Sequence, residues 1–519
     1  MKKIFLFGLM ALLLVSAVFA GGKQEEGTET GTTETEAAEA AEPEKKIMRV
    51  ADTVATKLMP GALAGNAMSY VSAVYDWLIF VDPDTNELVP DLATSWDTED
   101  GEVWTLKLRE GVKFHDGSDF TAEDAIFTME RTQDETLGHQ SKWNFVNVEK
   151  YEAVDDYTVK VHFSQPTPTF PYFLTEFNMG VVSSEYDYAT KGDTKPIGTG
   201  AFKIKDYVPK ESILLEKNEM YWKEGLPKID EVHIYLIPDV DRRVAMLESG
   251  QVDLVKGGVS PLIVNKVLQD PRFGIPKPIQ FHRIFNMDMS NPPFDDNRVR
   301  QALKYCIDPE VLAGVAFGEL KKDDIWVVES PVSASLPIYK DFPMRGRNIE
   351  KAKQLLVEAG YEAGIDTVLY FATDIDSNAE FAQAIKEMAA PAGFDIDLQG
   401  FSRDVYLSDK CFLPGLGITA WNPRLEPSSM LSWGYHSEGS WNESGMNIPR
   451  ADEIIEALQT EVDPEERQAL YDELQEIFYN EGPIITIELP YTMLINKRLK
   501  DYRETILATS EIEYVDIVE

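Results

Sequence analysis

Aromatic, amide and guanidinium side chains stand close together in the segment Thr419–Leu431, TAWNPRLEPSSML. Trp421, Asn422 and Arg424 are its candidates for binding. A guanidinium offers a planar fork of donors to a carboxylate or phosphate. An aromatic face can stack on a sugar ring, a chelate or a peptide side chain. An internal ion pair, for example Arg424 with Glu426, is the alternative. The segment therefore predicts binding of a ligand with an anionic group or several acceptor oxygens.

Other tryptophans extend the same argument. Trp143, Trp433 and Trp441 also offer aromatic faces, although core packing explains most tryptophans in proteins. We expect Trp421 and Trp143 to contact a ligand.

Motifs of catalysis are missing from the sequence. No G-x-S-x-G elbow, H-E-x-x-H helix or kinase set occurs. The glycine-rich stretch Pro196–Phe202, PIGTGAF, lacks the residues of a phosphate-binding loop. The histidines have no local nucleophile as neighbour; they are His115, His139, His162, His233, His282 and His436. We expect no enzyme, no metal site and no cofactor, with a secreted hydrolase that uses two carboxylates as the alternative.

The chain is strongly acidic. Its net charge is -40 over 519 residues, which repels phosphate backbones and anionic membrane surfaces. Nucleic-acid binding is therefore not expected, and the charge favours a soluble monomer.

Cys306 and Cys411 are the only cysteines. They carry no zinc spacing, and we expect Cys306 to be a small core residue on a helix over 299–307. The sequence does not decide whether the two form a disulfide, because it does not place their Cα atoms.

The N-terminal residues have the composition of an export signal. Residues 1–20 combine Lys2 and Lys3 with an apolar run that is short for a membrane span. Glycines follow this run instead of a lipid-anchoring cysteine. Residues 21–46 form a glutamate-rich tract without large apolar side chains, which predicts a disordered leader. We expect a periplasmic or extracellular protein without a lipid anchor.

The elements that position the candidate residues are clearest in Leu88–Arg131, LVPDLATSWDTEDGEVWTLKLREGVKFHDGSDFTAEDAIFTMER. Apolar residues at strand spacing flank a turn at Glu99–Gly101, which predicts a hairpin. Thr121 followed by acidic residues predicts a helix N-terminus. The inward residues of that helix should be Ala125, Ile126, Phe127 and Met129.

This stretch also resembles one family. LATSW, LREGVKFHDG and FTAEDAIFTMER are similar to the signature of the extracellular solute-binding proteins of peptide and nickel ABC importers, often called family 5. The resemblance extends over nearly all the chain after Ile47, including Pro293–Ala302, PFDDNRVRQA. In that segment Asp295 is the expected helix cap.

The resemblance implies an α/β fold with two lobes, the large type II periplasmic-binding-protein fold, with an extra α+β subdomain inserted in the first lobe at about residues 75–190. The expected limits are 47–280 for the first lobe, 281–483 for the second and 484–519 for the return to the first. Strands alternate with helices after residue 349, which favours a parallel sheet in the second lobe. Two crossing strands would make a hinge.

The resemblance also implies residues of the ligand cleft. Relatives place the residues before the first helix there, which makes Met68 and Tyr70 candidates against ordinary core packing. Metal-chelate binders place an aromatic residue near Trp143 and a histidine in the loop of His436. They also carry an arginine that the matching FNMGVV of this chain lacks. Many peptide binders carry an acid where Arg424 stands, and a cation there would disfavour a cationic ligand end.

The function that follows is capture of a small solute, an oligopeptide or dipeptide before others, and its delivery to an ABC permease in the membrane. A non-peptide solute such as an oligosaccharide, an opine-like acid or a metal chelate is the alternative. The lobes should close about the hinge when a ligand contacts both.

Overall fold

Two large mixed sheets carry the chain, and each forms the frame of one lobe. The computed structural model describes residues 45–52, 58–60, 68–134, 137, 139–192, 194–276, 279–317, 326–343, 345–373, 375, 377–421, 424–491, 493–505, 507 and 509–518. The predicted signal peptide and residues 21–44 of the predicted leader lie outside these described residues.

The first part of the chain alternates short helices with strands. Its elements are β1 (Ile47–Asp52), α1 (Met68–Val74), β2 (Ile79–Val81), β3 (Leu88–Pro90), β4 (Ala93–Thr98), β5 (Val103–Leu108), α2 (Ala122–Glu130), β6 (Val148–Asp155), β7 (Thr158–Phe163), α3 (Phe170–Phe173), α4 (Tyr188–Lys191), β8 (Phe202–Val208), β9 (Ser212–Lys217), β10 (Glu231–Leu236), α5 (Val240–Glu248), β11 (Leu254–Val255), α6 (Pro261–Val267) and β12 (Phe273–Gly274).

The remainder is richer in helix. Its elements are β13 (Ile279–Met287), α7 (Asn297–Cys306), α8 (Pro309–Phe317), β14 (Trp326–Val328), α9 (Ile349–Glu358), β15 (Ile365–Ala372), α10 (Asn378–Ala389), β16 (Phe394–Phe401), α11 (Arg403–Asp409), β17 (Leu416–Trp421), α12 (Ser428–Gly434), α13 (Pro449–Thr460), α14 (Pro464–Asn480), β18 (Ile484–Tyr491), β19 (Leu494–Asn496), β20 (Leu499–Lys500) and β21 (Asp516–Ile517).

The sheet of the first lobe has the strand order β12-β19-β11-β1-β10-β9-β8. Its centre is parallel: β1 pairs with β10 on one side and β11 on the other. The strand β19 enters this sheet from the C-terminal part of the chain and pairs antiparallel with β11. Apolar side chains of β1, such as Met48 and Val50, are buried in the core of this lobe.

The inserted subdomain is built on an antiparallel sheet with the order β4-β5-β7-β6. The predicted hairpin is β4 and β5, and the predicted helix is α2. The Asp124 carboxylate accepts a hydrogen bond of 2.8 Å from the Thr121 backbone N–H, which confirms the N-terminus of the helix. Ala125 and Met129 are buried and Phe127 is partly buried against the same core.

The sheet of the second lobe has the strand order β14-β18-β13-β17-β15-β16. The prediction of a parallel sheet is correct for β15 with β16 and β17. It is wrong for the other half, where β13 pairs antiparallel with β17 and β18. The reason is that β13 brings the chain into this lobe and β18 takes it back towards β19, so the two run in opposite directions.

Two local expectations in the second lobe have definite outcomes. The cap of α7 is Asp296, not Asp295, because the Asp296 carboxylate accepts the Arg298 backbone N–H at 2.8 Å. Cys306 is fully buried at the end of this helix, as expected for a core residue. Cys306 and Cys411 are both free thiols, and burial raises the pKa of each to about 12.

Candidate ligand-binding cleft

The inserted subdomain faces the second lobe along a contact that we call the lobe seam, formed by residues such as Gly101, Pro166, Tyr172 and Glu176 on one side and Arg424, Glu426 and Val462 on the other. At one end, a Cβ built on Gly101 would lie 3.1 Å from Val462 and 3.2 Å from Pro166. Further along, burial and the nearby Glu426 carboxylate raise the pKa of Tyr172. The seam therefore brings side chains of both lobes within contact distance.

Trp421 lies at the end of β17, where the central strands of the second sheet reach the seam. Its ring stacks on Trp433, with centroids 4.6 Å apart and planes 18° apart, and lies 6.3 Å from the ring of Tyr435. A Cβ on Gly434 would come within 2.8 Å of the Trp421 ring, so the stack needs glycine at this position. Trp421 is only partly buried, which leaves part of the indole open to a ligand.

Arg424 forms an ion pair across the seam. Its Nε lies 3.4 Å from Glu176 Oε1, and the two side chains are 23% and 14% exposed. The pair is of the kind expected as the alternative to a ligand role, but its partner comes from the other lobe. The position of Glu176 in its own lobe is fixed by a second contact, because its backbone carbonyl accepts a hydrogen bond of 2.8 Å from Trp77 Nε1.

Glu426, the partner considered for Arg424, is engaged elsewhere. Arg467 Nη2 lies 3.0 Å from its carboxylate, and the Tyr471 hydroxyl donates to the same oxygen. The Ser428 backbone N–H donates to it at 3.1 Å. These contacts within the second lobe fix the loop that carries Arg424, while Arg424 itself points to Glu176.

A cavity of about 340 Å³ lies in the seam and takes its walls from both lobes. Most of its lining is uncharged and polar: Asn144, Asn147, Gln165, Thr167 and Thr169 from the inserted subdomain, and Ser429, Ser432, Ser440 and Gln459 from the second lobe. Phe173 and Trp433 add aromatic surface, and Glu438 is the one charged residue among the described lining. This lining suits a neutral group that can donate and accept hydrogen bonds.

Thr169 gives the cavity a polar atom without a partner. The residue is 1% exposed, and its hydroxyl makes no hydrogen bond within the described part of the chain. A buried hydroxyl without a partner is unfavourable unless a water or a ligand satisfies it.

The remaining predicted site residues lie in different surroundings. Tyr70 is 2% exposed and packs in the core of the first lobe, as its core-packing alternative describes. His436 is held by its own lobe: Nε2 lies 3.3 Å from Glu456, and Nδ1 accepts the Glu438 backbone N–H. Met68 begins α1 and Trp143 lies on a short 3₁₀ helix, but their side chains fall outside the described part of the structure. Asn422 lies outside the described residues altogether.

Sequence reasoning missed Glu176, Thr169 and most of the other residues that line the cavity. The signal for Glu176 was available, because Arg424 stands where many peptide binders carry an acid. An unmatched cation in a cleft calls for an acid on the facing wall. Thr169 carried no such signal, since its burial depends on contact between segments far apart in the chain.

A carboxylate also lies buried behind the Trp421 strand. Glu443 accepts hydrogen bonds from Asn286 Nδ2 at 2.9 Å and from the Thr419 hydroxyl at 3.4 Å. Burial raises its pKa to about 8, so the group is largely protonated at neutral pH.

Among the described residues, no group of acidic, histidine or cysteine side chains has the arrangement of a metal site. No described helix has both the length and the apolar character needed to cross a bilayer.

Comparison of the sequence with known proteins finds one matching family profile and relatives of similar length. A family profile described as bacterial extracellular solute-binding proteins, family 5, middle region, matches residues 87–442. The glutathione-binding protein GsiB of Pectobacterium atrosepticum is 27% identical over 444 residues, which cover 81% of this chain and 83% of that protein.

Solved structures with the same fold include complexes with bound ligands. The periplasmic binding protein DppA of Helicobacter pylori, in complex with the peptide STSA, has a TM-score of 0.76 at 24% identity and covers 92% of this chain and 99% of its own. NikZ of Campylobacter jejuni, in complex with Ni(L-His), has a TM-score of 0.77 at 21% identity and covers 91% of this chain and 98% of its own.

Proposed function

This chain belongs to the bacterial extracellular solute-binding proteins, family 5, and from that membership we propose that it captures a small solute between its lobes and delivers it to the permease of an ABC importer. The solute leaves chemically unchanged, and the protein acts outside the cytoplasm as a monomer. Residues 1–20 serve as its export signal and 21–46 as a flexible leader. The first lobe comprises residues 47–280 and 484–519, and the second comprises 281–483.

The observation that carries the proposal is that residues of both lobes form the seam. The cavity takes its lining from both lobes, and the Arg424–Glu176 pair joins them. Both features exist only while the lobes are together. A solute that contacts both walls therefore binds the closed arrangement more tightly than the open one, and this difference drives closure.

The ligand that we propose is a short peptide with a free carboxylate. Arg424 offers its guanidinium to that carboxylate, and the Trp421–Trp433 stack offers an aromatic wall. The names of the relatives support this choice, since GsiB is a glutathione-binding protein and DppA was solved with a peptide. Asn422, Trp143, Met68, Tyr70 and His436 remain further predicted contacts.

A non-peptide solute is the second candidate, and one observation favours it. The cavity is lined mainly by uncharged amides and hydroxyls beside Trp433, which is a chemistry that also suits a sugar. Ni(L-His) in the NikZ structure is a reminder that the same fold holds ligands of other classes.

Small-angle X-ray scattering and thermal unfolding test the function together. The probes are S-methylglutathione, di-, tri- and tetra-alanine, maltotriose and nickel–histidine. A ligand should reduce the radius of gyration and raise the unfolding temperature further as its concentration increases. Mass spectrometry should recover it unchanged. Identical scattering with every probe, or a probe that is cleaved, would contradict the proposal.

A further inference from the structure

The Arg424–Glu176 pair places opposite charges on the two walls of the seam. At 3.4 Å it is longer than the Arg345–Glu329 pair at 2.8 Å. Within the described part of the chain, each of the two side chains has the other as its ion-pair partner. A partly exposed pair of this kind adds little stability. When the lobes separate, the cation remains on the second lobe and the anion on the first.

We propose that this pair recognises a zwitterionic amino-acid head, that is, a free ammonium and a free carboxylate on the same carbon atom. The inference rests on the proposed capture function and names the ligand class of the same cleft. The ligand carboxylate pairs with Arg424, and the ligand ammonium pairs with Glu176. One head then makes a charged contact to each lobe, so two short contacts replace one long one on closure.

The geometry distinguishes this head from the ends of an ordinary peptide. In an α-linked peptide the ammonium and the carboxylate lie at opposite ends, and only one of them reaches the pair. In a free amino acid or a γ-glutamyl compound, both groups lie on one carbon atom. The two charges then lie close together, at a spacing that suits walls whose opposite charges already approach each other to 3.4 Å.

The cavity of the seam is lined by the same two segments of the chain and offers space for the rest of such a ligand. The segment that carries Glu176 also provides Thr169 and Phe173, and the segment that carries Arg424 continues into Ser429 and Trp433. Uncharged amides and hydroxyls line most of it, and the Thr169 hydroxyl needs a partner. An amide-bearing body attached to the head is the group that this lining would take.

Isothermal titration with two isomers tests the head. The probes are S-methylglutathione, in which the glutamyl residue is γ-linked, and its α-linked isomer with the same composition and charge. The γ-linked isomer should bind at least tenfold more tightly. Acetylation of its amine should remove that advantage, because Glu176 then faces an uncharged group. Equal affinity for the two isomers would overturn the proposal.

Two variants separate recognition from mere attachment of the lobes. Glu176→Gln and Arg424→Gln should each weaken the γ-linked isomer at least tenfold and change the α-linked isomer much less. A pair that only fastens the lobes would weaken both isomers equally, which also overturns the proposal. The matched controls are Arg450→Gln and Glu473→Gln, which break an exposed pair of 2.7 Å between α13 and α14 of the second lobe that does not line the cavity, and they should leave both affinities unchanged.

The outcomes also distinguish a failure of this proposal from a failure of the proposed capture function. If neither isomer binds while another probe closes the lobes in scattering, the zwitterionic head is wrong and the capture function stands. If no probe of any class closes the lobes, both are wrong. Thermal unfolding of each unliganded variant shows whether a loss of affinity comes from a loss of folding.

Discussion

Glu443 shows at the scale of one residue how the environment of the Trp421 strand sets a protonation state. Its two hydrogen-bond partners, Asn286 and Thr419, are neutral, and the dominant influence is burial. The carboxyl group therefore has a pKa of about 8 instead of the usual 4.5. The folded protein binds a proton that the unfolded chain has lost between these two values.

We predict that this group makes the protein less stable as pH rises from about 4.5 to about 8. A raised pKa means that the folded state holds more protons than the unfolded state in that window, so the free energy of unfolding falls with increasing pH. Its contribution is complete below 4.5 and lost above 8. Chemical denaturation of Glu443→Gln across this range should show a flatter profile than the parent. The same slope in both proteins would assign the effect to other groups, and Glu473→Gln serves as the exposed control.

Gly434 is a second residue whose surroundings lead to a definite expectation. Because an added Cβ would lie 2.8 Å from the stacked Trp421 ring, Gly434→Ala should displace that ring and weaken ligand binding. Near-ultraviolet circular dichroism should record the lost stack. Gly314→Ala is the matched helical control, since its Cβ would meet nothing within 4 Å. That control should be neutral or stabilise the protein by up to about 1 kcal/mol. Unchanged dichroism in Gly434→Ala would mean that the stack tolerates the methyl group.

At the scale of elements, the strands that run between the lobes are tied directly to the strand that carries Trp421. In register, His282 of β13 lies between Glu488 of β18 and Trp421 of β17. His282 and Glu488 are buried with 3.3 Å between Nε2 and Oε1. The same Glu488 oxygen accepts the Ala334 backbone N–H at 2.7 Å. A change at the crossing strands therefore reaches the cleft through one row of side chains.

We predict that Glu488→Ala destabilises the protein by about 3 kcal/mol, because it leaves the partly buried Ala334 backbone N–H without its acceptor and removes the carboxylate beside the buried His282 ring. Urea denaturation measures the loss. Glu476→Ala removes an exposed carboxylate that pairs with Lys340 at 2.6 Å and should cost less than about 0.5 kcal/mol. Similar losses in the two variants would contradict the importance given to the crossing strands.

The same scale shows where sequence reasoning succeeds. The N-terminus of α2 follows from Thr121 and the acids after it, because capping depends on residues within one turn. The N-terminus of α14 is formed by equally local contacts, since the Asp463 carboxylate accepts the Glu465 and Glu466 backbone N–H groups. The cap of α7 was misplaced by one residue, since Asp295 and Asp296 are adjacent and local pattern does not choose between them.

Contacts between segments that are distant in the chain could not be predicted from the sequence. The sequence directs attention to Arg424, but the ion-pair partner of this side chain lies 248 positions away in the other lobe. The burial of Tyr70 and the antiparallel half of the second sheet likewise depend on how whole elements pack. Local patterns predict elements, whereas the walls of a cleft are set by tertiary contacts.

At the scale of the whole molecule, the seam offers a place to hold the lobes together covalently. A Cβ on Gly101 would lie 3.1 Å from Val462 Cγ1, a position close to that of a cysteine sulfur. Gly101 has a φ of 77°, so a cysteine there would cost about 1 to 2 kcal/mol. The natural thiols should not interfere, since both are buried and burial raises their pKa to about 12.

We predict that the double variant Gly101→Cys, Val462→Cys forms a disulfide that keeps the lobes closed, and that the order of steps then decides binding. Oxidised before the ligand is added, the protein should keep a constant radius of gyration in scattering and bind no ligand, because the cleft cannot open to admit it. Oxidised after loading, it should retain the ligand through dialysis and release it only on reduction. Val462→Cys alone is the control and should behave like the parent. Free entry of ligand into the oxidised double variant would show that the solute reaches its site without separation of the lobes, and the capture mechanism would then be wrong.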